Sequence, residues 1–311
     1  MATTTASPAS MPPIKPSVEA FVPLPPILSV NDDVLREIIF RSMRADGDRY
    51  ASRGVLGNLG SNVFGRAHEL YKLIRICRRF RDIAYANPDF WADIVGFAPS
   101  EKGFAQLLQR ACNVPLTLVR SFERPLSKTQ IEFLLNNLDR IAILCAHNSA
   151  DNDWTATLSG QTMDSLVALS IDSKSVVNED SSQISIPPLN APHLHHLKFT
   201  GSFYIPVIAP RLRGLELSGT RTLMSPVELL DMLLSTPALQ GLYLYGILPS
   251  AVTSRDQWDH CSGREVHLHC LETLDLSTDS CATVVMVLRH VKLPAKASVN
   301  TSALWRSNFR N

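Results

Sequence analysis

Apolar residues between positions 70 and 84 recur at steps of three and four, which is the spacing of one face of an α-helix. This apolar stripe consists of Leu70, Leu73, Ile74, Cys77, Phe80 and Ala84. The positions between them, which are expected to face water, hold Lys72, Arg75, Arg78, Arg79 and Arg81. The pattern predicts one helix or a bent pair of helices.

The predicted helix is expected to end at Asn87-Pro88, because the residue before a proline is pushed out of the helical region. Phe90 and Trp91 follow directly and are expected to act as buried anchors. A second short amphipathic helix is predicted upstream over residues 34–40. Asn31 is its candidate N-cap, since an Asn side chain can accept a hydrogen bond from the first free N–H groups.

These two helices together resemble the F-box motif, in the style of the large fungal F-box-like families. The matching residues are Asp32-Asp33-Val34-Leu35, Ile39-Phe40, Ile76-Cys77-Arg78-Arg79-Phe80-Arg81, Ile83-Ala84 and Pro88-Asp89-Phe90-Trp91. The sequence departs from the family in two places. Val30-Asn31 stands where Leu-Pro is usual, and residues 41–69 form a longer link between the helices.

A different pattern, Pro-x-Leu-x-x-Leu-x-Leu/Phe-x-Gly, occurs three times, beginning at Pro192, Pro210 and Pro237. Degenerate copies are read at Leu138-Ile141-Ile143, Leu166-Leu169-Ile171 and Leu271-Leu274-Leu276. Leucines at these steps place one side of a short strand on a shared core, and the glycine lets the chain turn out of the strand. Because a single unit cannot bury its leucines, neighbouring units must stack.

The repeated units resemble leucine-rich repeats, although they lack the asparagine that usually follows the third leucine in that family. Only 18 residues separate Leu197 from Leu215, which leaves too little chain for a full helix there. Between the F-box-like motif and the repeats, helices are predicted over residues 101–112 and 127–138 and a strand over residues 114–119. Capping boxes are predicted at Ser127 and Ser225.

The predicted fold class is α+β to α/β, with a small helical F-box-like motif followed by an irregular leucine-rich-repeat-like solenoid. The Pro-rich residues 1–29 are expected to be disordered, and residues 30–95 form the F-box-like domain with a mobile insertion at 44–66. The repeat-like domain covers residues 101–295. The tail, 296–311, has no periodicity and is expected either to be disordered or to dock through Leu304-Trp305.

Charge and composition give no sign of a nucleic-acid or membrane partner, because the net charge is +1 and no apolar run approaches the ~18 residues of a membrane span. The N-terminus lacks the apolar core of a secretory signal. The six cysteines are scattered, mostly among apolar residues, and are interpreted as reduced core thiols. We therefore expect a cytoplasmic or nuclear protein.

No catalytic motif of the Gly-x-Ser-x-Gly, His-Glu-x-x-His or Cys-x-x-Cys type occurs, so we expect a protein that is not an enzyme and has no cofactor. The histidines and cysteines that could suggest a zinc site are His193, His195, His196, His260, Cys261, His267, His269 and Cys270. Their spacing matches no common structural zinc site. His267 and His269 are instead expected to point outward from a strand that buries Val266, Leu268 and Cys270.

The F-box resemblance implies a Skp-family adaptor as partner and, through it, a cullin–RING ubiquitin ligase, with the repeats holding a protein substrate. The implied adaptor-binding residues are Val34, Leu35, Ile38, Ile39, Cys77, Phe80 and Trp91. The motif supplies only ~40–45 helical residues, so its apolar face should be covered by the repeats or by another protein. The alternative is a repeat scaffold in which the motif only caps the solenoid, and the two departures from the family favour it.

Substrate is expected to bind the strand residues that lie between the core leucines, because side chains alternate along a strand and these must point away from the core. The candidates are His196, Lys198, Glu216, Tyr243, Tyr245 and Asp275. The two tyrosines are the expected anchors, and the charged residues would set the charge preference. An open alternative is that this surface is only solvated and that substrate binds loops or the tail.

Overall fold

The fold is mixed α/β, with a helical segment that leads into a wholly parallel sheet. The computed structural model of the chain describes residues 30–48, 59–98, 100–119, 126–148, 153–173, 186–201, 203–219, 224–247, 258–278 and 281–303. The predicted disordered N-terminus, 1–29, lies outside the described residues, as does 49–58 of the predicted insertion. No helix in the described part of the chain is long and apolar enough to cross a membrane.

The helical segment contains α1 (Asp32–Asp48), α2 (Leu59–Ile76), α3 (Arg78–Tyr85) and α4 (Pro88–Ala92). The predicted cap is confirmed, because the Val34 backbone N–H donates to Asn31 Oδ1 at 2.9 Å. Of the two predicted alternatives, one helix or a bent pair, the structure has the pair, since the chain leaves helical geometry at Cys77, where φ is −156°. Asn87-Pro88 separates α3 from α4 as expected, with proline in the first turn of α4.

The expected mobile insertion at 44–66 is wrong for most of its length. Residues 44–48 continue α1, and residues 59–66 form the first two turns of α2. The glycines and polar residues of this stretch favour a loop when they are considered locally. The helices α1 and α2 lie against each other, and helical packing of this kind can outweigh such a local preference.

A 3-10 turn at Val95–Phe97 and α5 (Glu101–Ala111) connect the helical segment to the first strand of the sheet, and α6 (Lys128–Leu135) lies between the first and second strands. The capping box predicted at Ser127 is confirmed, with the Gln130 N–H and Ser127 Oγ 3.3 Å apart. The second predicted capping box, at Ser225, begins α8 (Pro226–Leu234). The helices α7 (Trp154–Leu158) and α9 (Cys281–His290) were not predicted.

Eight strands form the main sheet, in the same order in space as in the chain and all parallel. They are β1 (Leu116–Val119), β2 (Ile141–Asn148), β3 (Ala168–Ser173), β5 (His196–Gly201), β7 (Gly214–Ser218), β8 (Gly241–Tyr245), β10 (Thr273–Thr278) and β12 (Ser298–Ala303). Two short parallel pairs join β4 (Leu189–Asn190) to β6 (Val207–Ile208), and β9 (Val266–His267) to β11 (Val291–Lys292).

The repeated leucines meet in one row across the sheet, so the strand predictions for the repeats are confirmed. The row consists of Leu144, Leu169, Leu197, Leu215, Leu242 and Leu274, all buried. The degenerate copy predicted at Leu138-Ile141-Ile143 was placed three residues too early. In the sheet, Leu144 and not Ile141 lies in the same row as Leu197. Leu138 lies in a 3-10 turn, and Ile143 packs on the opposite face against Val119 and Cys145.

The sheet extends past the predicted end of the repeats at residue 295. Residues 298–303 form β12, which pairs with β10 and places Val299 opposite Leu274. Of the two expectations for the tail, disorder is therefore wrong for this stretch, whereas the alternative of docking through Leu304-Trp305 lies outside the described residues. The strand contains Ser, Asn and Thr and has no leucine, so the pattern that identifies the other strands does not detect it.

Two predicted features of the repeats are confirmed in detail. Gly201 and Gly246 leave their strands with φ of +78° and +62°, a region that L side chains rarely adopt. Between β5 and β7, where the chain is too short for a helix, the described residues hold only the short strand β6.

The helical segment and the sheet share one continuous core, which runs from Leu35 to Leu276 and beyond. Gly96 in the 3-10 turn lies so close to β1 that a Cβ atom there would come within 2.8 Å of the Val119 nitrogen. The 3-10 turn that follows the helical segment therefore covers the edge of the sheet at β1, the strand that has no neighbour on that side within the sheet.

Candidate functional site

The residues implied in adaptor binding divide into buried and exposed groups. Leu35, Ile39 and Trp91 are 0% exposed and Phe80 is 1% exposed, all within the core of the chain itself. Val34 is 45% exposed, while Ile38 and Cys77 are half-buried. Direct contact with a second protein is thus available to Val34, Ile38 and Cys77, and the buried four hold the helices that carry them.

Besides Val34, three large apolar side chains are exposed on the described part of the helical segment: Tyr85 at the end of α3, and two on α2 that the sequence did not assign to adaptor binding. Tyr71 is 40% exposed and Ile76 is 62% exposed, both on α2. Sequence reasoning gave weight to the periodic stripe, and these two residues fall outside it. The sequence could have revealed them, because they are large apolar residues on the side of α2 that otherwise holds the charged residues Lys72 and Arg75.

Aromatic and charged contacts connect the helices of the segment to one another and to α5. The Trp91 ring stacks on Tyr85 with centroids 5.3 Å apart, and the Arg110 guanidinium lies 4.6 Å and 4.7 Å from the Trp91 and Tyr85 ring centroids. At the start of α1, Arg79 pairs with Asp32 at 2.7 Å and donates to the Val30 backbone oxygen. These contacts fix α1 against α3 and α4 against α5.

The second candidate surface is the sheet face opposite the leucine row, which we call the open face. It is formed by alternate residues of β2, β3, β5, β7, β8 and β10. The six predicted substrate residues all lie on it and all are partly exposed. The register places Lys198, Glu216, Tyr243 and Asp275 side by side in one row, with His196 and Tyr245 in the rows on either side.

Neighbouring side chains on the open face are already bonded to one another. Lys198 Nζ lies 2.6 Å from Glu216 Oε1, and their side chains are only 21% and 13% exposed. The Tyr245 hydroxyl donates to Asp275 Oδ2 at 3.2 Å. Burial and the Asp275 charge raise the pKa of Tyr245, and burial raises that of Tyr243, so both phenols remain protonated at neutral pH.

The histidine of this face is held in its neutral form. Burial, His195 and Arg213 lower the pKa of His196. Its Nδ1 is buried and has no hydrogen-bond partner among the described residues. The imidazole therefore contributes an uncharged polar edge to the open face at neutral pH.

The open face also includes β2 and β3, two strands that precede β5, where the predicted substrate residues begin. His147 on β2 and Asp172 on β3 are register partners, with Nδ1 and Oδ2 3.9 Å apart. Cys145 lies on the same face, where burial raises its pKa to about 12. Such a thiol stays protonated and is a poor nucleophile.

The remaining cysteines and histidines do not form a metal site in the described part of the chain, where no group of three His, Cys, Asp or Glu residues could hold an ion. His267 and His269 are exposed as expected, but Cys270 is exposed too, because β9 ends at His267 and Cys270 lies in the following turn. The expectation that most cysteines are core thiols is wrong, since only Cys145 and Cys261 are buried.

Compared with models of protein families, with curated proteins and with solved structures, the chain matches none of them. The resemblance to F-box and leucine-rich-repeat proteins therefore depends on the motif residues quoted above. What the structure adds is the location of those residues and the two surfaces that they leave exposed.

Proposed function

We propose that this chain is the substrate-recognition subunit of a Skp–cullin–F-box type ubiquitin ligase. The helical segment α1 to α4 binds a Skp-family adaptor, and the open face binds a protein substrate. The chain itself performs no chemistry. It raises the effective concentration of the substrate near the conjugating enzyme, as a linked pair of binding modules does.

The observation that carries the adaptor part of the proposal is the exposure of Val34, Tyr71 and Ile76 on two packed helices. The buried apolar residues of the motif already pack within the core of the chain itself and need no partner to shield them from water. The apolar side chains that remain outside are therefore available for a partner, which would remove them from water.

The substrate part of the proposal treats the eight-stranded sheet as the strand layer of an irregular leucine-rich-repeat-like solenoid. The parallel register and the chain order of the strands support this. Stacked strands place side chains from several repeats on one surface. Two partly exposed tyrosines, Tyr243 and Tyr245, give this surface the kind of anchor that is common at protein interfaces.

A second candidate function is a repeat scaffold in which the helical segment serves only as a cap. The specific observation in its favour is the close approach of Gly96 to the backbone of β1, together with the core shared by helices and sheet. A terminal strand of stacked repeats needs such a cover. Capping and adaptor binding use different sides of the segment, so only a binding measurement separates the two functions.

Isothermal titration calorimetry of the purified chain with a purified Skp-family adaptor tests the proposal. We expect wild type to bind, and the double variant Val34→Asp/Ile76→Asp to bind at least about tenfold more weakly, because charge replaces apolar contact. The matched control is Leu234→Asp/Val285→Asp, which alters two exposed apolar residues of the repeats. Absence of wild-type binding would leave the cap as the function of the segment.

A further inference from the structure

Charges on the open face are not balanced within the described part of the chain. Its one lysine, Lys198, is already paired with Glu216. None of the described ion pairs of lysine or arginine involves Asp172 or Asp275. Asp172 faces His147, and Asp275 accepts from the Tyr245 hydroxyl, so neither carboxylate is paired with a lysine or arginine in the described part of the chain.

Asp275 is also held in a defined orientation. The Tyr245 hydroxyl bonds its Oδ2, which leaves the second carboxylate oxygen as an acceptor. Tyr243 stands between Asp275 and Glu216 in the same register row, on adjacent strands. Since neighbouring strands lie about 4.8 Å apart, two carboxylates flank one tyrosine ring with about 10 Å between their strands.

We propose that Glu216, Tyr243, Tyr245 and Asp275, which we call the carboxylate–tyrosine patch, bind an arginine- or lysine-bearing segment of a partner protein. This inference rests on the proposed function, because it names the class of segment that the open face would recognise. A guanidinium can form charge-assisted hydrogen bonds with the carboxylate of Asp275 and lie over the face of Tyr243. Its planar shape suits both contacts at once.

The ion pair at the edge of the patch sets the strength of this binding. Lys198 is a cation supplied by the chain itself, and it occupies one of the two carboxylates. Replacement by methionine keeps most of the apolar stem and removes the charge. Glu216 would then be free for an incoming cation, so Lys198→Met is expected to strengthen binding of a basic segment.

The test uses the full chain and fluorescein-labelled octa-arginine and octa-glutamate peptides, with fluorescence anisotropy at about 0.15 M salt. Octa-arginine should bind saturably and octa-glutamate should not. Asp275→Asn should weaken the octa-arginine affinity at least about fivefold, and Lys198→Met should strengthen it at least about twofold. Glu272→Gln is the matched control, because it removes the same charge from an exposed residue just before β10 and should change the affinity less than about twofold.

Equal weakening by Asp275→Asn and Glu272→Gln would overturn the proposal, since it would show a general charge effect. So would absence of saturable octa-arginine binding, equal binding of octa-glutamate, or weaker binding by Lys198→Met. The gain expected for Lys198→Met cannot arise from misfolding, which keeps the test decisive if Asp275→Asn is unstable. Adaptor binding is measured separately, so failure of this inference and failure of the proposed function give different results.

Discussion

The indole Nε1 of Trp91 donates a hydrogen bond of 2.8 Å to the backbone oxygen of Ala84. Because Trp91 lies in α4 and Ala84 in α3, this bond joins the two helices across Asn87-Pro88. Both residues belong to the stretch that resembles an F-box, and both are buried. The most recognisable part of the motif thus holds the helical segment together, and only its exposed neighbours are accessible to another protein.

Adjacent residues of α1 are expected to differ sharply in their effect on stability. Leu35→Ala should lower the free energy of unfolding by about 2–5 kcal/mol, because it leaves a cavity in the shared core. Val34→Ala should change it by no more than about 0.5 kcal/mol, because Val34 is exposed. Urea unfolding of both variants measures the difference. Equal effects would contradict the assignment of Leu35 to the core.

Cys112 ends α5 with φ of +49°, a conformation that costs a residue with a side chain about 1–3 kcal/mol. Cys112→Gly should relieve this strain and raise the free energy of unfolding by about 1 kcal/mol, after the extra chain entropy of glycine is subtracted. Cys112→Ala is the matched control, because alanine keeps the Cβ atom. In thermal melts, Cys112→Gly should have a higher melting temperature than Cys112→Ala. The reverse order would show that the backbone at Cys112 is not strained.

Gly201 and Gly263 both have positive φ but differ in their surroundings. A Cβ atom at Gly201 would come within 1.6 Å of the Ser173 oxygen, whereas one at Gly263 would meet nothing within 4 Å. Gly201→Ala should therefore cost about 2–4 kcal/mol, since it adds backbone displacement to the conformational strain. Gly263→Ala should cost only about 1–2 kcal/mol. Similar urea midpoints for the two variants would contradict the close approach of β5 to β3.

Sequence reasoning located the parts of the fold where a local pattern and the tertiary structure agree. The Pro-x-Leu-x-x-Leu-x-Leu/Phe-x-Gly copies place Leu197, Leu215 and Leu242 in the buried row. In β2 two apolar residues, Ile143 and Leu144, are adjacent, and only the neighbouring strand decides which one faces the core. The sequence does not contain that information locally, so the register was misread.

In the candidate site, too, some features follow from the local sequence pattern and others depend on the tertiary structure. The open-face residues follow from strand alternation, which is why all six were placed on one surface. The pairing of Lys198 with Glu216 depends on which strands are neighbours, and that is a tertiary fact. Leu35, Ile39, Phe80 and Trp91 were assigned to a partner because the F-box resemblance implied it, although cover by the repeats was the alternative. The shared core with the sheet buries them without a partner.

The stability of the chain should fall when the pH drops below about 6.5, the ordinary pKa of histidine. Burial lowers the pKa of His196 in the folded chain, so the unfolded chain binds more protons between that lowered value and 6.5. This contribution is fully present above pH 6.5 and is lost progressively below it. His196→Gln should reduce the pH dependence of the urea midpoint over this window. An unchanged dependence would show that His196 titrates normally in the folded chain.

Hydrogen–deuterium exchange of the full chain with and without a purified Skp-family adaptor tests the central claim most directly. The proposal predicts slower exchange in residues 32–43 of α1 and residues 70–78 around the junction of α2 and α3, because Val34, Tyr71 and Ile76 lie there. Exchange in β5, β7, β8 and β10 should stay unchanged, since the substrate surface is separate. Unaltered exchange of α1 and α2 at saturating adaptor, or protection confined to the open face, would contradict the account.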